Sequence, residues 1–274
     1  MIYYIILLYY NIMKVYLFTD YHNVQRLEML QDLLTKSGHQ CIVTTSINHL
    51  NRQTDVIIST NVTHQFHIFK PYCAFDIYSM LDHKLQFYEY LARNMHLCHE
   101  NNIHLLPCYN KSYNGPNLTK QFMIKAANGF SCKYNTIEYD SIYNLIKKYP
   151  NNYQIQDLMD VKNIYGVSLC CKQGKIISAY SYLTQGAVTT TSFHADRNCE
   201  IRIPEVKKFL KRMIADLKLN GIIEVEFLID RSNKIYVMEC NPRISGSLRV
   251  PHYYNSIILT YLRTFHDTLV QEMP

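Results

Sequence analysis

The chain has 274 residues, with 28 Lys and Arg against 22 Asp and Glu, a formal charge of +6. With 48% hydrophobic and 18% charged residues it carries enough apolar surface to fold, which excludes a disordered polyampholyte, and eight Gly and eight Pro exclude a collagen-like or linker-dominated chain. This length suits one large α/β unit or two smaller ones without disulfide or metal staples; the surplus of Tyr, Asn, Ile and Lys, with no Trp, reads as codon bias rather than function.

Residues 1–13, MIYYIILLYYNIM, are apolar apart from Asn11. They fall short of the roughly 20 apolar residues of a spanning helix and lack the basic start and small-residue cleavage site of a secretory signal. Met13 reads as a second start, so 1–13 are taken as an extension with no membrane role. From Lys14 the pattern is an apolar run (Val15 to Phe18), a helix-period stretch (Val24 to Leu34) closed by Gly38, a second apolar run (Cys41 to Val43) and a short strand (Asp55 to Ser59). That is a parallel β-α-β unit, 14–75, with Gly38 where a helix C-terminus needs positive φ. TDYHNV follows the first strand where a dinucleotide fold would carry GxGxxG.

Asp82-His83-Lys84 opens a helix over Leu85 to Leu97, and an Asn- and Pro-rich loop runs from Glu100 to Asn117. Cys98, His99, His104 and Cys108 match no standard zinc spacing, and nine Cys without CxxC fit thiols of a reducing compartment, hence cytoplasm. Next come a strand (Gln121 to Lys125), a loop, a helix (Ser141 to Lys148), and strands Tyr153 to Leu158, Ile164 to Cys171 and Lys175 to Tyr182, the last two joined at Gln173-Gly174. A helix from Glu205 to Lys218 lies between Pro204 and Gly221. Basic residues occur in pairs rather than runs, so the charge points to phosphate-bearing small ligands and not to nucleic acid.

The segment Gly221 to Ser247 carries the chemistry. Alternating runs Ile222 to Asp230 and Ile235 to Asn241 flank a four-residue turn, Arg231 to Lys234. Pairing Asp230 with Ile235 sets Phe227 against Met238, Glu226 against Glu239, Val225 against Cys240 and Glu224 against Asn241. One face then holds Glu224, Glu226, Glu239 and Asn241; the other holds Val225, Phe227, Tyr236, Met238 and Cys240. Opposed carboxylates destabilise a sheet unless a cation compensates them, and oxygen ligands in this number suit a hard divalent ion shared with phosphate. Arg243 and Ser245-Gly246-Ser247, just after the strand, suit a bound anion.

VEFLID and IYVMECNPRISGS resemble the signature of the ATP-grasp superfamily, nearest to the carbamoyl-phosphate synthetase large chain and biotin carboxylase branch. The resemblance covers roughly residues 82–262. It implies an α/β chain: a small parallel β-α-β domain, then a two-lobed ATP-grasp domain over 76–267 with a lid near 118–165, and a tail at 268–274. It further implies ATP with Mg²⁺ or Mn²⁺ as cofactors: Glu226 on the first metal, Glu239 bridging both, Asn241 on the second, and Arg243, with Arg249, facing the transferred phosphoryl group or acyl phosphate. Lys84 and Lys125 would reach ATP phosphates; Gln156, Asp157 and Met159 would contact adenine over Leu228 as an apolar floor. Where the family wraps phosphates in glycines, ANGFSCKY keeps only Gly129, with Ser131 and Lys133 as partial substitutes, and Asn163 stands where a ribose-binding Glu is usual. The activity implied is an ATP-dependent ligase joining a small-molecule carboxylate to an amine through an acyl phosphate, in a chain free to form a homodimer; the alternative is a weakened nucleotide-binding module.

Overall fold

The structure is a computed structural model and describes residues 14–18, 24–44, 56–59, 75–127, 136–149, 152–185, 195–244 and 251–264. The N-terminal extension, Thr19 to His22, Ser131, Lys133, Arg249 and Ser245 to Ser247 lie outside the described residues.

β1 (Lys14–Phe18), α1 (Val24–Lys36), β2 (Gln40–Thr44) and β3 (Val56–Ser59) form a parallel sheet in the order β2-β1-β3. α1 stops because Gly38 takes φ +85°: its N–H donates to Thr35 O, and His39 N–H to Leu34 O, which satisfies the orphan carbonyls of the last turn.

α2 (Phe75–Asp82), α3 (Lys84–Arg93) and α4 (Met95–His99) follow. The helix expected over Leu85 to Leu97 is broken after Arg93, because the Asn94 side-chain amide donates to Tyr90 O, the local competition that disfavours Asn inside helices. The stretch expected as a loop up to Asn117 contains two short strands, β4 (Ile103–Leu105) and β5 (Cys108–Tyr109).

β5 opens a second unit with β6 (Thr119–Ala126), β7 (Thr136–Ser141) and β8 (Tyr153–Asp157), an antiparallel sheet in the order β5-β8-β6-β7. α5 (Ile142–Lys148), whose Ser141 Oγ accepts from Asn144 N–H, covers one face, burying Phe122, Ile124, Ile142, Leu145 and Ile155. Alternation sends Met123 and Lys125 to the opposite face, together with Gln154 and Gln156.

The largest sheet combines β9 (Val161–Lys172), β10 (Lys175–Gln185), β11 (Ala195–Asn198), β12 (Gly221–Asp230) and β13 (Ile235–Asn241) with β4, in the order β11-β10-β9-β12-β13-β4. Its pairs are antiparallel except β13 with β4. One face takes α6 (Pro204–Asp216), which buries Val206, Phe209, Leu210, Met213 and Ile214, a spacing of three and four residues that makes one helical stripe. Each such side chain contributes about 1.5–3 kcal/mol of burial, and Phe209 meets Phe227 edge to face at 5.9 Å. The other face is split along its length. Cys170, Tyr180 and Ile222 pack on the N-terminal unit and on a C-terminal helical segment, 251–264, π-helical over Tyr254–Ile258. Beyond them the same face carries polar side chains. No helix among the described residues is long and apolar enough to cross a membrane.

The β12/β13 hairpin departs from the expected register at its tip. Asn233 takes φ +63°, Asp230 N–H donates to Lys234 O, and the Asp230 carboxylate accepts from the Ser232 and Lys234 amides. The turn is therefore one residue shorter than expected, and pairing begins as Ile229 with Ile235, Leu228 with Tyr236 and Phe227 with Val237. A bulge at Met238 then absorbs the slip, and Glu226 faces Glu239, Val225 faces Cys240 and Glu224 faces Asn241, as expected. Three residues change faces against expectation: Tyr236 lies on the polar face beside Leu228, and Ile235 and Val237 enter the core.

Candidate functional site

Pairing across β10, β9, β12 and β13 lays three rows of side chains on the polar face: Tyr180, Ser168, Glu224 and Asn241; then Tyr182, Gly166, Glu226 and Glu239; then Thr184, Ile164, Leu228 and Tyr236. In the first row Ser168 Oγ donates to Glu224 Oε2 at 2.7 Å, both groups being buried. The middle row has no side chain at Gly166, and the Tyr182 ring lies across that gap with its hydroxyl 3.1 Å from Glu226 Oε1.

Glu226 and Glu239 oppose each other directly. Burial, then the charges of Glu239 and Glu224, push the Glu226 carboxyl up to about 8, against smaller downward pulls from the Tyr182 hydroxyl and Lys125. Burial also acts to raise Glu239, but Lys84, Lys125, the Asn241 amide and Arg243 outweigh it and hold that carboxyl below its usual range. Lys84 Nζ stands 3.7 Å from Glu239 Oε2, and Asn241 Nδ2 donates to Glu239 Oε1 at 3.3 Å. Arg243 Nη2 donates to Asn241 Oδ1 at 2.8 Å. Asp82 completes the cluster: burial raises its carboxyl, and Arg243 and Lys84 pull it back.

Lys84 is fixed by its place as first residue of α3 after the N-cap His83, and its backbone N–H donates to Ala127 O at 2.8 Å, tying the helix to the end of β6. Lys125 projects from the face of the four-stranded sheet opposite α5 and acts on both Glu226 and Glu239. Beside it, the Gln154 and Gln156 amides both donate to Cys108 Sγ, and burial, the largest influence, takes that thiol up to about 12. Cys108, half-buried and held as a thiol by these surroundings, is thus unreactive.

Of the expected adenine contacts, Gln156 is buried with its amide on Cys108. Asp157 turns its carboxylate to the Tyr109 hydroxyl (2.9 Å) and Lys120 (2.7 Å), leaving its backbone at the junction of the two sheets. Met159 and Asp157 line a cavity of about 450 Å³ with His99, His104 and Tyr236. Asn163 does not join them. It lies on the face of β9 shared with Tyr165 and Val167, and its amide donates to Thr184 O. Sequence reasoning overlooked Asp82, Ser168 and Tyr182 as parts of the site. The one available signal was Gly166 within an apolar strand, a residue type that marks close approach.

No protein-family model and no curated protein matches the chain by sequence. Solved structures do match by shape. N5-carboxyaminoimidazole synthase from Aspergillus clavatus, in complex with ADP and 5-aminoimidazole ribonucleotide, superposes with a TM-score of 0.61 at 14% identity over 94% of this chain and 77% of that one. D-alanyl-alanine synthetase A from Vibrio cholerae gives 0.58 at 11% over 95% and 97%. An ATP-grasp superfamily protein from Archaeoglobus fulgidus gives 0.52 at 14% over 92% and 88%. The chain has the ATP-grasp fold. Within the ATP-grasp fold of this chain, Glu226, Glu239 and Asn241 offer two carboxylates and an amide, ringed by three cations. Among the described residues no three His, Cys, Asp or Glu side chains are grouped to hold a metal ion by themselves. The donor set fits a hard divalent ion whose remaining oxygen ligands come from phosphate and water, and the repulsion between Glu226 and Glu239 is what such an ion would relieve.

Proposed function

We propose that the protein binds ATP with Mg²⁺ or Mn²⁺ and joins a small-molecule carboxylate to an amine, forming an acyl phosphate and then an amide with release of ADP and phosphate. The observation that carries this reading is the convergence of Lys84, Lys125, Asn241 and Arg243 on the Glu239 carboxylate, which faces Glu226 across the hairpin. The ADP named in the Aspergillus clavatus complex supports nucleotide binding on the same fold.

Glu226, Glu239 and Asn241 would hold the divalent ion, which when bound supplies charge neutralisation to the phosphates. Lys84 and Lys125 would hold the phosphate oxygens, and Arg243, braced on Asn241, would hold the substrate carboxylate near the γ-phosphorus. A carboxylate oxygen attacks that phosphorus and ADP departs with the bridging oxygen. The amine then attacks the acyl carbon, phosphate leaves, and the nitrogen loses a proton to solvent. The chain's work is positioning and charge compensation. The four-stranded sheet, within 118–165 apart from β5, would close as a lid that shields the acyl phosphate from water. Adenine would sit against the backbone of Asp157 to Met159 over Leu228.

The reading is tested by ADP and ATP binding with and without Mg²⁺, and by ADP formation with pooled carboxylates and amines, in wild type and Glu239→Gln. ADP release that needs both substrates and is lost in Glu239→Gln supports it. Binding without turnover on any pool supports the alternative of a nucleotide-binding module, which Asn163's position on the opposite face of β9 favours. No binding in the wild type refutes both.

A further inference from the structure

We propose that Tyr182 is a positioning residue for the divalent cation: its hydroxyl fixes one oxygen of Glu226 so that the other is presented toward Glu239, and Gly166 is the gap through which it reaches. The inference rests on the ATP and metal reading above.

Tyr182 and Glu226 stand on β10 and β12, two strand spacings or about 10 Å apart, with Gly166 of β9 paired to both. Any side chain at 166 would stand between them. A Cβ built there falls 2.1 Å from Tyr182 Cζ, 2.3 Å from Cε1 and 2.4 Å from the hydroxyl oxygen. A glycine inside a strand forfeits packing and chain entropy, and this one sits among the buried residues Tyr165, Val167, Ser168 and Leu169. What the vacancy provides is the 3.1 Å bond from the Tyr182 hydroxyl to Glu226 Oε1.

The donor's chemistry suits the role. A lysine reaching the same oxygen would neutralise Glu226 and compete with an incoming cation. A phenol, with an ordinary pKa of about 10, is neutral at neutral pH and still donates a hydrogen bond. It orients the carboxylate and leaves its charge for the metal. Hydrogen-bond partners of ligating carboxylates are worth about 10- to 100-fold in metal affinity.

The test is Mn²⁺ binding in the presence of saturating ADP, read as free Mn²⁺ by electron paramagnetic resonance. It compares wild type, Tyr182→Phe, Gly166→Ala and the double variant, each checked for an intact thermal transition. Tyr182→Phe is expected to weaken Mn²⁺ binding at least about tenfold, with affinity for metal-free ADP unchanged. Gly166→Ala keeps the hydroxyl but displaces the ring, so it should lose as much, and the double variant should lose no more than either. Wild-type affinity in Tyr182→Phe, or losses that multiply in the double variant, overturns the inference alone. ADP binding without Mn²⁺ binding in the wild type overturns the metal reading and the inference together.

Discussion

Replacing Glu226 by Gln changes one atom of the acid pair and tests its electrostatics directly. In the folded chain the Glu226 carboxyl is moved from 4.5 up to about 8, chiefly by burial and then by Glu239. A carboxyl raised on folding stabilises the fold while it is protonated. That contribution is full below pH 4.5, shrinks as the unfolded chain ionises and the folded one does not, and is gone above pH 8. The slope is about 1.4 kcal/mol per pH unit, so raising pH from 5 to 7 removes about 3 kcal/mol. Gln cannot ionise, can still accept from Tyr182, and offers an amide to Glu239. The expected result is that wild type and Glu226→Gln unfold alike near pH 4.5 and diverge as pH rises, with the variant more stable by about 3 kcal/mol at pH 7. At a urea dependence of about 3 kcal/mol per molar, the midpoints differ by about 1 M. Mg²⁺ with ADP should narrow or reverse the difference, since a bound cation stabilises the wild-type pair. Parallel pH profiles for the two proteins would refute the claim that burial, and then Glu239, raise the Glu226 carboxyl in the folded chain.

Lys84→Met should weaken ADP binding by about 2 kcal/mol, roughly 30-fold, in calorimetry, as expected for one lost charge-assisted contact. Asp157→Asn should leave ADP affinity unchanged, because its carboxylate is already engaged by Tyr109 and Lys120; a large loss would mean that side chain reads the base. Phe122→Ala, which empties a fully buried site packed edge-on against Tyr109, should cost the four-stranded unit about 3–5 kcal/mol. Hydrogen exchange should then rise over residues 119–157 while the six-stranded sheet keeps its protection.

The sequence was most legible where one pattern ran long. Helix 204–216 showed as a stripe between Pro204 and Gly221, and the paired carboxylates showed because face alternation is rigid once a hairpin is recognised. Short edge strands did not show: β4, β5 and β11 have two to four residues and take their order from neighbours rather than from their own period. β7 was hidden for another reason, since Ile137 and Tyr139 are exposed on a sheet edge and mark no buried face. The hairpin tip misled because the left-handed geometry of Asn233 depends on the carboxylate of Asp230, which no hydrophobic pattern records. Asn163 misled because matching it to a motif fixed its distance along the chain but not its side of the strand. For Tyr182 the only trace was Gly166, which marks a close approach without naming the side chain, because the partner of Tyr182 lies 44 residues away, across a third strand.

The bulge at Met238 makes the hairpin tip and the acid pair arithmetically dependent. A strand's side chains have only two addresses, and each residue added or removed between turn and site exchanges them. The short turn is one such exchange and Met238 is the second, so the two cancel and Glu239 arrives beside Glu226. Deleting Met238 alone would turn Glu239 and Asn241 toward the core, as would lengthening the turn by one residue while the bulge remains. Making both changes together restores the count. Insertions and deletions in this exposed loop are therefore tolerable only in compensated pairs, and its length is held by charges that lie far from it.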